Sequence, residues 1–427
     1  MNTSAPKAPL PTLENIQIAI IGLGYVGLPL ALEFGKHYRT LGFDTSQKRI
    51  SDLRTHIDRT RQITESDWDQ SCYLKFCDDE QDLSTANIYI IAVPTPIDTH
   101  KVPDLSHLLH ASAIVAKYLK RGDVVIYEST TYPTCTQNEC ANVLEQISHL
   151  KLNKDFCLGY SPERINPSDR THTLTSIKKI TSGSTDEAGK FIDKLYASII
   201  TAGTHLVSSI ESAEMTKIIE NAQRDLNIAF VNEIYIICEH LGINALEVLE
   251  AAKTKWNFLP FSPGLVGGHC ISVDPYYLTH KMNAMGYHPQ VISSGRLIND
   301  AMPQFVAQKI IKLMIQNRIE ILNAQILILG ITFKPNCPDI RNSQIPIVKT
   351  QLEDFGAKVS IYDPLADSQE VVESYHISLL SVLPSHQFDV IFLAIAHDEF
   401  LHLSHNTLGK THHIYYTLTP HKLEPLA

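Results

Sequence analysis

Apolar runs closed by glycine or a polar turn alternate, from Gln17 to about Gly203, with segments whose apolar positions follow helical spacing. That alternation predicts strands separated by helices, the pattern of a parallel sheet with covering helices. The expected strands are Gln17–Ile21, Thr40–Asp44, Asn87–Val93, Val124–Glu128 and Phe156–Tyr160. A shorter series begins near Gln325, with strands expected at Ile326–Gly330, Lys358–Tyr362, Asp389–Ala396 and His413–Tyr416. Both series read as doubly wound α/β sheets. Between them, Ser208 to Leu241 contains neither Gly nor Pro. Its residues Met215, Ile218, Ile219, Ala222, Leu226, Ala229 and Phe230 recur at helical spacing. The segment predicts one helix of about 45 Å, long enough to bridge two domains. Its apolar stripe reads as core or as a subunit interface.

Composition narrows the class. A chain of 427 residues suits two or three domains, and 44% hydrophobic with 19% charged residues is a globular balance. The net charge of -10 argues against nucleic acid as a partner, while backbone amides and local cations can still hold a phosphate. No apolar run is long enough to span a bilayer. Residues 1–15 are Pro-rich and polar, expected as a disordered tail without the features of a signal peptide, so a cytoplasmic location is expected. Eight cysteines, several inside apolar runs, fit reduced thiols. Neither Cys72/Cys77 nor Cys135/Cys140 has neighbouring histidines in a ligand pattern, so no metal is expected.

The first strand runs into Gly22-x-Gly24-x-x-Gly27 and then a helix-compatible stretch from Leu28 to Phe34. The first glycine permits a tight turn, the second lets a pyrophosphate approach the backbone, and the third allows helix and strand to pack closely. Tyr25 and Val26 complete this cofactor turn. Asp44 ends the next strand, where a carboxylate accepts hydrogen bonds from a ribose diol and repels a 2′-phosphate, which favours NAD over NADP. Arg49 tempers that preference, because a guanidinium can pair with such a phosphate. Thr95 and Thr130 each follow a strand, as candidate contacts to the nicotinamide half or as helix caps.

The candidate chemistry lies further along. Cys270 sits in Gly267-Gly268-His269-Cys270-Ile271-Ser272-Val273-Asp274, a polar niche of the kind reactive thiols need. Lys217 and Asn221 are four residues apart on the long helix and share a face with Glu214. A cation beside an amide donor suits an oxyanion; the alternative is a solvated salt-bridge face. Glu163, in Tyr160-Ser161-Pro162-Glu163-Arg164, is a candidate general base at the ligand edge of the first sheet. In the second series, Lys334 and Arg341 follow the first strand and are candidates to grip phosphates. One phosphate-binding edge per sheet suggests two nucleotides.

Ile20 through Pro29, Tyr160 through Pro167, Ile219 through Asp225 and Gly264 through Thr279 together resemble the UDP-glucose/GDP-mannose dehydrogenase superfamily, in particular its bacterial UDP-N-acetylhexosamine 6-dehydrogenases. The resemblance implies an NAD-binding Rossmann domain over 16–203, a central helical dimerisation region carrying the cysteine loop over 204–318, and a UDP-binding Rossmann-like domain over 319–427. It implies a homodimer or higher homo-oligomer and a four-electron oxidation of a sugar C6 alcohol to the uronic acid, for surface polysaccharide biosynthesis. Cys270 would form first a thiohemiacetal and then a thioester. Lys217 and Asn221 would stabilise the oxyanions, Asp274 would order water and Lys217, and Glu163 would assist proton transfer. Thr130 joins the catalytic set, Arg341 the cofactor contacts, and Arg164, Phe258, Gly264, Gly267 and Lys334 the substrate contacts.

The chain departs from the family's pattern in places. Pro167 stands where UDP-glucose enzymes have a second glutamate, as in the N-acetylhexosamine branch. Thr131-Tyr132-Pro133-Thr134 leaves the match between Thr130 and Thr131 open by one residue, and Thr417-Leu418-Thr419 replaces an Asp-Leu-Lys run. UDP-N-acetylglucosamine and UDP-N-acetylgalactosamine are the expected substrates, with UDP-N-acetylmannosamine or UDP-glucose as alternatives. A non-catalytic nucleotide-sugar scaffold, a different class, would not need a nucleophile beside an oxyanion site. An epimerase would not need the thiol.

Overall fold

The computed structural model describes residues 7–60, 63–165 and 171–418. The chain divides into two compact units, Met1–Glu220 with Tyr276–Gly286, and Asn221–Pro275 with Tyr287–Ala427. The first contains a parallel sheet of β1 (Ile18–Ile21), β2 (Thr40–Phe43), β3 (Leu74–Cys77), β4 (Ile88–Ile91), β5 (Val124–Tyr127) and β6 (Cys157–Tyr160). Their order is β3-β2-β1-β4-β5-β6. Every residue of β1, β4 and β5 is buried, because helices cover both faces, which is why these strands are unbroken apolar runs rather than alternating ones. β3 escapes that rule. As an edge strand, Leu-Lys-Phe-Cys buries only Cys77 fully, so its sequence carries no buried-run signal. A small parallel pair, β7 (Lys179–Thr181) with β8 (Thr204–Leu206), was likewise not expected, each strand being three residues long.

The order reverses direction at β1/β4, and that switch point opens a crevice at the carboxyl ends of the strands, where open α/β sheets bind ligands. Residues 7–15, expected as part of a disordered tail, instead lie against this unit. Ala8 N donates to Lys154 O at 2.8 Å, and Leu13–Asn15 forms a short 3₁₀ turn.

The second unit carries β9 (Gln325–Leu329), β10 (Lys358–Tyr362), β11 (Phe388–Leu393) and β12 (Gly409–Thr417), all parallel and ordered β10-β9-β11-β12. Its switch point falls between β9 and β11. Ile326, Ile328, Val390 and Phe392 pack on one face with Met302, Val306 and Ile310 of the helix Gln290–Gln316. The other face, including Leu327, Leu329, Ile391 and Leu393, packs with Phe400 and Leu408.

The long helix runs from Ile210 to Leu241 and contributes its start to the first unit and its remainder to the second. The expected stripe divides in two: Ile218, Ala222 and Ala229 are buried, whereas Met215, Ile219 and Phe230 are exposed. In the second unit Gly295 of the helix Gln290–Gln316 lies so close to the long helix that a Cβ there would stand 2.6 Å from Leu226 Cδ2. A buried polar network crosses the same contact. Arg296 Nη1 meets Asp225 Oδ1 at 2.6 Å, and Asn299 Nδ2 donates to Asp225 Oδ1 at 2.7 Å. Asn232 Nδ2 donates to Asn299 Oδ1 at 2.9 Å and to Gly264 O at 3.0 Å, and its Oδ1 accepts from Gly264 N at 2.9 Å. Polar side chains inside this helix pair therefore fix the start of the loop that leads to Cys270.

Removing Asp225 strips buried Arg296 of one carboxylate partner, Asp300 remaining as the other, and leaves the Asn299 amide without its carboxylate acceptor. Asp225→Ala should lower stability by about 1–3 kcal/mol, read from chemical denaturation, because Arg296 keeps Asp300 while Asn299 and one guanidinium nitrogen lose their carboxylate acceptor.

Candidate active site

The turn after β1 has the shape a pyrophosphate needs. Gly22 adopts φ +90°, which favours glycine, and a Cβ on Gly27 would lie 1.8 Å from Gly22 O. Above Gly24, by contrast, a Cβ would meet nothing within 4 Å. The backbone is thus tight where helix meets strand and open where a phosphate approaches, and no side chain caps the first turn of the helix Gly27–Gly35. Asp44 Oδ2 accepts from Leu23 N at 3.0 Å and Oδ1 from Ser46 N at 2.9 Å. Arg49 is spent nearby: its Nε donates to Leu23 O at 3.0 Å and its Nη2 pairs with Asp58 at 3.1 Å. These residues fit NAD. The carboxylate retains lone pairs for a ribose diol, and the Arg49 guanidinium is already engaged.

Beyond β4 and β5, Thr95 and Thr130 lie half-buried in loops, and neither caps a helix. Thr131 is fully buried and donates to Glu214 Oε1 at 3.1 Å. Of the two adjacent threonines, Thr130 is therefore the one with a surface to offer. Glu214 also accepts from Thr134 N at 2.6 Å and Thr136 N at 2.9 Å, pinning the loop after β5 to the long helix. Burial pushes the Glu214 carboxyl up to about 7 against these three hydrogen bonds.

The face bearing Glu214, Lys217 and Asn221 is buried, not the solvated salt-bridge face that its composition also allowed. Lys217 Nζ donates to Glu163 O at 2.9 Å. The Glu163 carboxylate faces the other way. Its Oε1 accepts from Arg164 N at 2.6 Å and Ile165 N at 3.0 Å, and its Oε2 accepts from Lys179 Nζ at 2.6 Å. Lys179 also reaches Glu128 at 2.8 Å, and Tyr196 donates to Glu128 from the far side. Burial alone would lower Lys179, but Glu128 and Glu163 outweigh it and hold the lysine above its ordinary value. Both carboxylate oxygens of Glu163 are thus occupied in holding the turn that presents its carbonyl to Lys217. Arg164 approaches Glu220 at 3.8 Å. Asn166 and Pro167 lie outside the described residues, as does Thr419.

In the second unit, Asn221 Nδ2 donates to Asp274 Oδ2 at 2.5 Å, and Arg224 bonds Asn221 Oδ1. Cys270 is half-exposed and in no disulfide, and its carbonyl accepts from Val273 N at 3.1 Å and Asp274 N at 2.8 Å. A tight turn therefore joins the thiol to the buried Asp274 carboxylate. Phe258, Gly264 and Gly267 are half-buried, whereas Trp256 is 96% exposed. Lys334 and Arg341 lie in the loop after β9. The root of that loop is anchored by Asp363, whose Oδ2 accepts from Ile331 N at 2.7 Å and Thr332 N at 3.2 Å, and by His397, whose Nδ1 accepts from Asn336 N at 2.9 Å. Sequence reasoning did not find Lys179, Tyr196, Asn232, Asp363 or His397. Lys179 follows Lys178 and opens a three-residue strand, Lys179-Ile180-Thr181, so no local pattern set it apart.

A six-stranded Rossmann sheet with a glycine cradle and an acceptor aspartate, followed by a second doubly wound unit with a half-exposed cysteine, defines a nucleotide-dependent oxidoreductase. Residues 16–200 match the NAD binding domain, 211–301 the central domain and 327–417 the UDP binding domain of the UDP-glucose/GDP-mannose dehydrogenase family. The chain belongs to this family. A UDP-N-acetyl-D-glucosamine 6-dehydrogenase of Pseudomonas aeruginosa is 49% identical over 410 residues, covering 95% of this chain and 97% of the relative. Another of that name from Salmonella typhi is 50% identical over 409 residues, covering 95% and 96%. Among solved structures, a UDP-D-ManNAc dehydrogenase from Pyrococcus horikoshii aligns at TM-score 0.85 and 30% identity, covering 96% of this chain and 97% of the other. Among the described residues no helix is long and apolar enough to cross a membrane, and no group of three or more His, Cys, Asp or Glu is placed to hold a metal ion.

Because folded Glu214 holds its proton up to about 7 and an unfolded glutamate releases it near 4.5, unfolding expels a proton between these values. Stability contributed by the protonated form should be complete below the lower value and lost as pH rises through the upper one. Thermal melts should show this fall in the wild type, and Glu214→Gln should flatten it.

Proposed function

We propose that this chain oxidises the C6 alcohol of a UDP-N-acetylhexosamine to the uronic acid, with UDP-N-acetylglucosamine as the preferred substrate. The observation carrying this reading is the half-exposed thiol of Cys270, tied by a turn to Asp274, which in turn orients the amide of Asn221 one helical turn from Lys217. Identities of 49% and 50% to two UDP-N-acetyl-D-glucosamine 6-dehydrogenases, against 30% to the mannosamine enzyme, support the choice of sugar.

Gly22, Gly24, Tyr25, Val26, Gly27 and Asp44 with Thr95, Thr130 and Arg341 would hold NAD, which would accept one hydride from C6 in each of two oxidations, the first leaving an aldehyde as the alcohol also loses its hydroxyl proton. The Cys270 sulfur adds to the aldehyde carbon, forming a C–S bond and an alkoxide. Lys217 and Asn221 donate to that oxygen: an ammonium has three hydrogens and an amide nitrogen two, so each retains a donor beyond its internal partner. After the second oxidation the sulfur carries a thioester, and attack by water breaks the C–S bond, releasing the carboxylate and regenerating the thiol. Asp274 orders Asn221 and the attacking water. Glu163, with its carboxylate occupied, acts by fixing the carbonyl that holds Lys217. Arg164, Phe258, Gly264, Gly267 and Lys334 contact the nucleotide sugar.

The functional division is 16–203 for NAD, 204–318 for dimerisation and the cysteine loop, and 319–427 for UDP. Phe230, Ile237 and Leu241 leave an exposed apolar stripe on one helix, which supports a homodimer. Reduced cysteines support a cytoplasmic location, and the net charge of -10 supports a protein without a nucleic-acid partner.

NADH formation monitored with each UDP-sugar should be fastest with UDP-N-acetylglucosamine, and absence of turnover with every UDP-sugar would favour a non-catalytic scaffold. Cys270→Ser should reduce acid formation by at least about a thousand-fold; uronate made at the wild-type rate rules out the thioester route. Light scattering should give the mass of a dimer for the wild type and a shift toward monomer for Phe230→Asp.

A further inference from the structure

The loop bearing Cys270 and the loop after β9 are built against each other within the second unit. A Cβ on Gly267 would stand 2.7 Å from Asn342 O and 3.0 Å from Phe333 Cβ. Gly268, at φ +86°, leaves room for the Phe333 ring, whose atoms would lie 2.9 Å from a Cβ. Hydrogen bonds then fasten what the glycines allow to approach. Gly268 N donates to Arg341 O at 3.0 Å, and Gly268 O accepts from Asn342 Nδ2 at 2.9 Å and from Ser272 Oγ at 2.6 Å. Next to the cysteine, His269 Nδ1 accepts from Arg341 Nη2 at 2.9 Å. Arg341 is itself held by buried Asp339, through Nε at 3.0 Å and Nη2 at 2.5 Å. Burial pushes the Asp339 carboxyl up, but the hydrogen bonds and charge of Arg341 outweigh it and hold it below its ordinary value.

We propose that Asn342, backed by the Asp339–Arg341–His269 chain, is a positioning residue that transmits engagement of the nucleotide by the loop after β9 to the thiol of Cys270. The inference rests on the reading that Cys270 is the nucleophile and that Lys334 meets the phosphates. Gly268 is the point of transmission. Both its backbone groups are committed to residues 341 and 342, and two residues later the Cys270 carbonyl closes the turn with Val273 and Asp274. The loop after β9 is rooted on its other side by Asp363 and His397, so a ligand drawing on Lys334 displaces the loop relative to a fixed base. Binding energy from the nucleotide half, remote from the reacting carbon, is in this way spent on aligning the sulfur.

The test uses the full chain, UDP as the probe, and iodoacetamide alkylation of Cys270 followed by mass spectrometry. Asn342 has φ +52°, so Asn342→Gly keeps the backbone conformation while deleting the amide; Asn342→Asp is isosteric and replaces the donor with a charged acceptor that repels the Gly268 carbonyl. In the wild type, saturating UDP should change the Cys270 alkylation rate by about five-fold or more, through altered thiol exposure or thiolate character. Either folded variant should bind UDP with calorimetric affinity within about two-fold of wild type, lose that alkylation response, and show kcat reduced about ten-fold with KM little changed. A wild-type thiol indifferent to bound UDP, or variants that retain the response, overturns the coupling while leaving the proposed reaction intact. A wild-type chain that does not bind UDP, or a Cys270→Ser variant that still makes acid, overturns the reading on which the coupling rests.

Discussion

Loops that leave the carboxyl ends of parallel strands carry backbone N–H groups that no neighbouring strand can satisfy, and burying them unpaired would cost about 1–3 kcal/mol each. In this chain buried or half-buried side-chain oxygens meet that demand at several of the loops given a functional role. Asp44 accepts from Leu23 in the cofactor turn, Glu214 from Thr134 and Thr136, Glu163 from Arg164 and Ile165, and Asp363 from Ile331 and Thr332. Asn232 plays the same part for Gly264. The chemistry is thus carried on irregular backbone whose shape is set by polar side chains, while the apolar sheets beneath supply a rigid base.

This division explains what the sequence disclosed. Strands such as Ile88–Ile91 and Val124–Tyr127 are legible because a sheet covered on both faces requires uninterrupted apolar residues, and Lys358–Tyr362 was read to the residue. The glycine turn was legible because its constraints are local: Gly22, Gly24 and Gly27 act within six residues of one another. The edge strand Leu74–Cys77 and the three-residue pair at Lys179 and Thr204 lack the pattern that full burial imposes.

The partners of the site residues could not be read for a different reason. Glu214 meets a threonine 83 positions away, and Arg341 meets a histidine 72 positions away. Spacing along a helix correctly grouped Glu214, Lys217 and Asn221, but whether that face met water or protein depended on elements elsewhere in the chain. The same holds for Glu163. Its place at the ligand edge was evident from the strand before it, whereas the occupation of both its oxygens by Lys179 and the following amides depends on tertiary structure.

The two sheets end corresponding strands in the same residue type, Asp44 after β2 and Asp363 after β10, yet the two carboxylates are in different states. Asp44 is half-exposed and accepts from Leu23 N and Ser46 N, well short of the roughly four hydrogen bonds a carboxylate can take. Asp363 is buried and saturated: Ile331, Thr332, Leu365 and Ala366 donate backbone N–H groups to it, and His397 closes over it at 3.1 Å. With an imidazole sealed over it, Asp363 has no lone pair left for a ribose diol, whereas Asp44 at the corresponding strand end of the other sheet keeps its own.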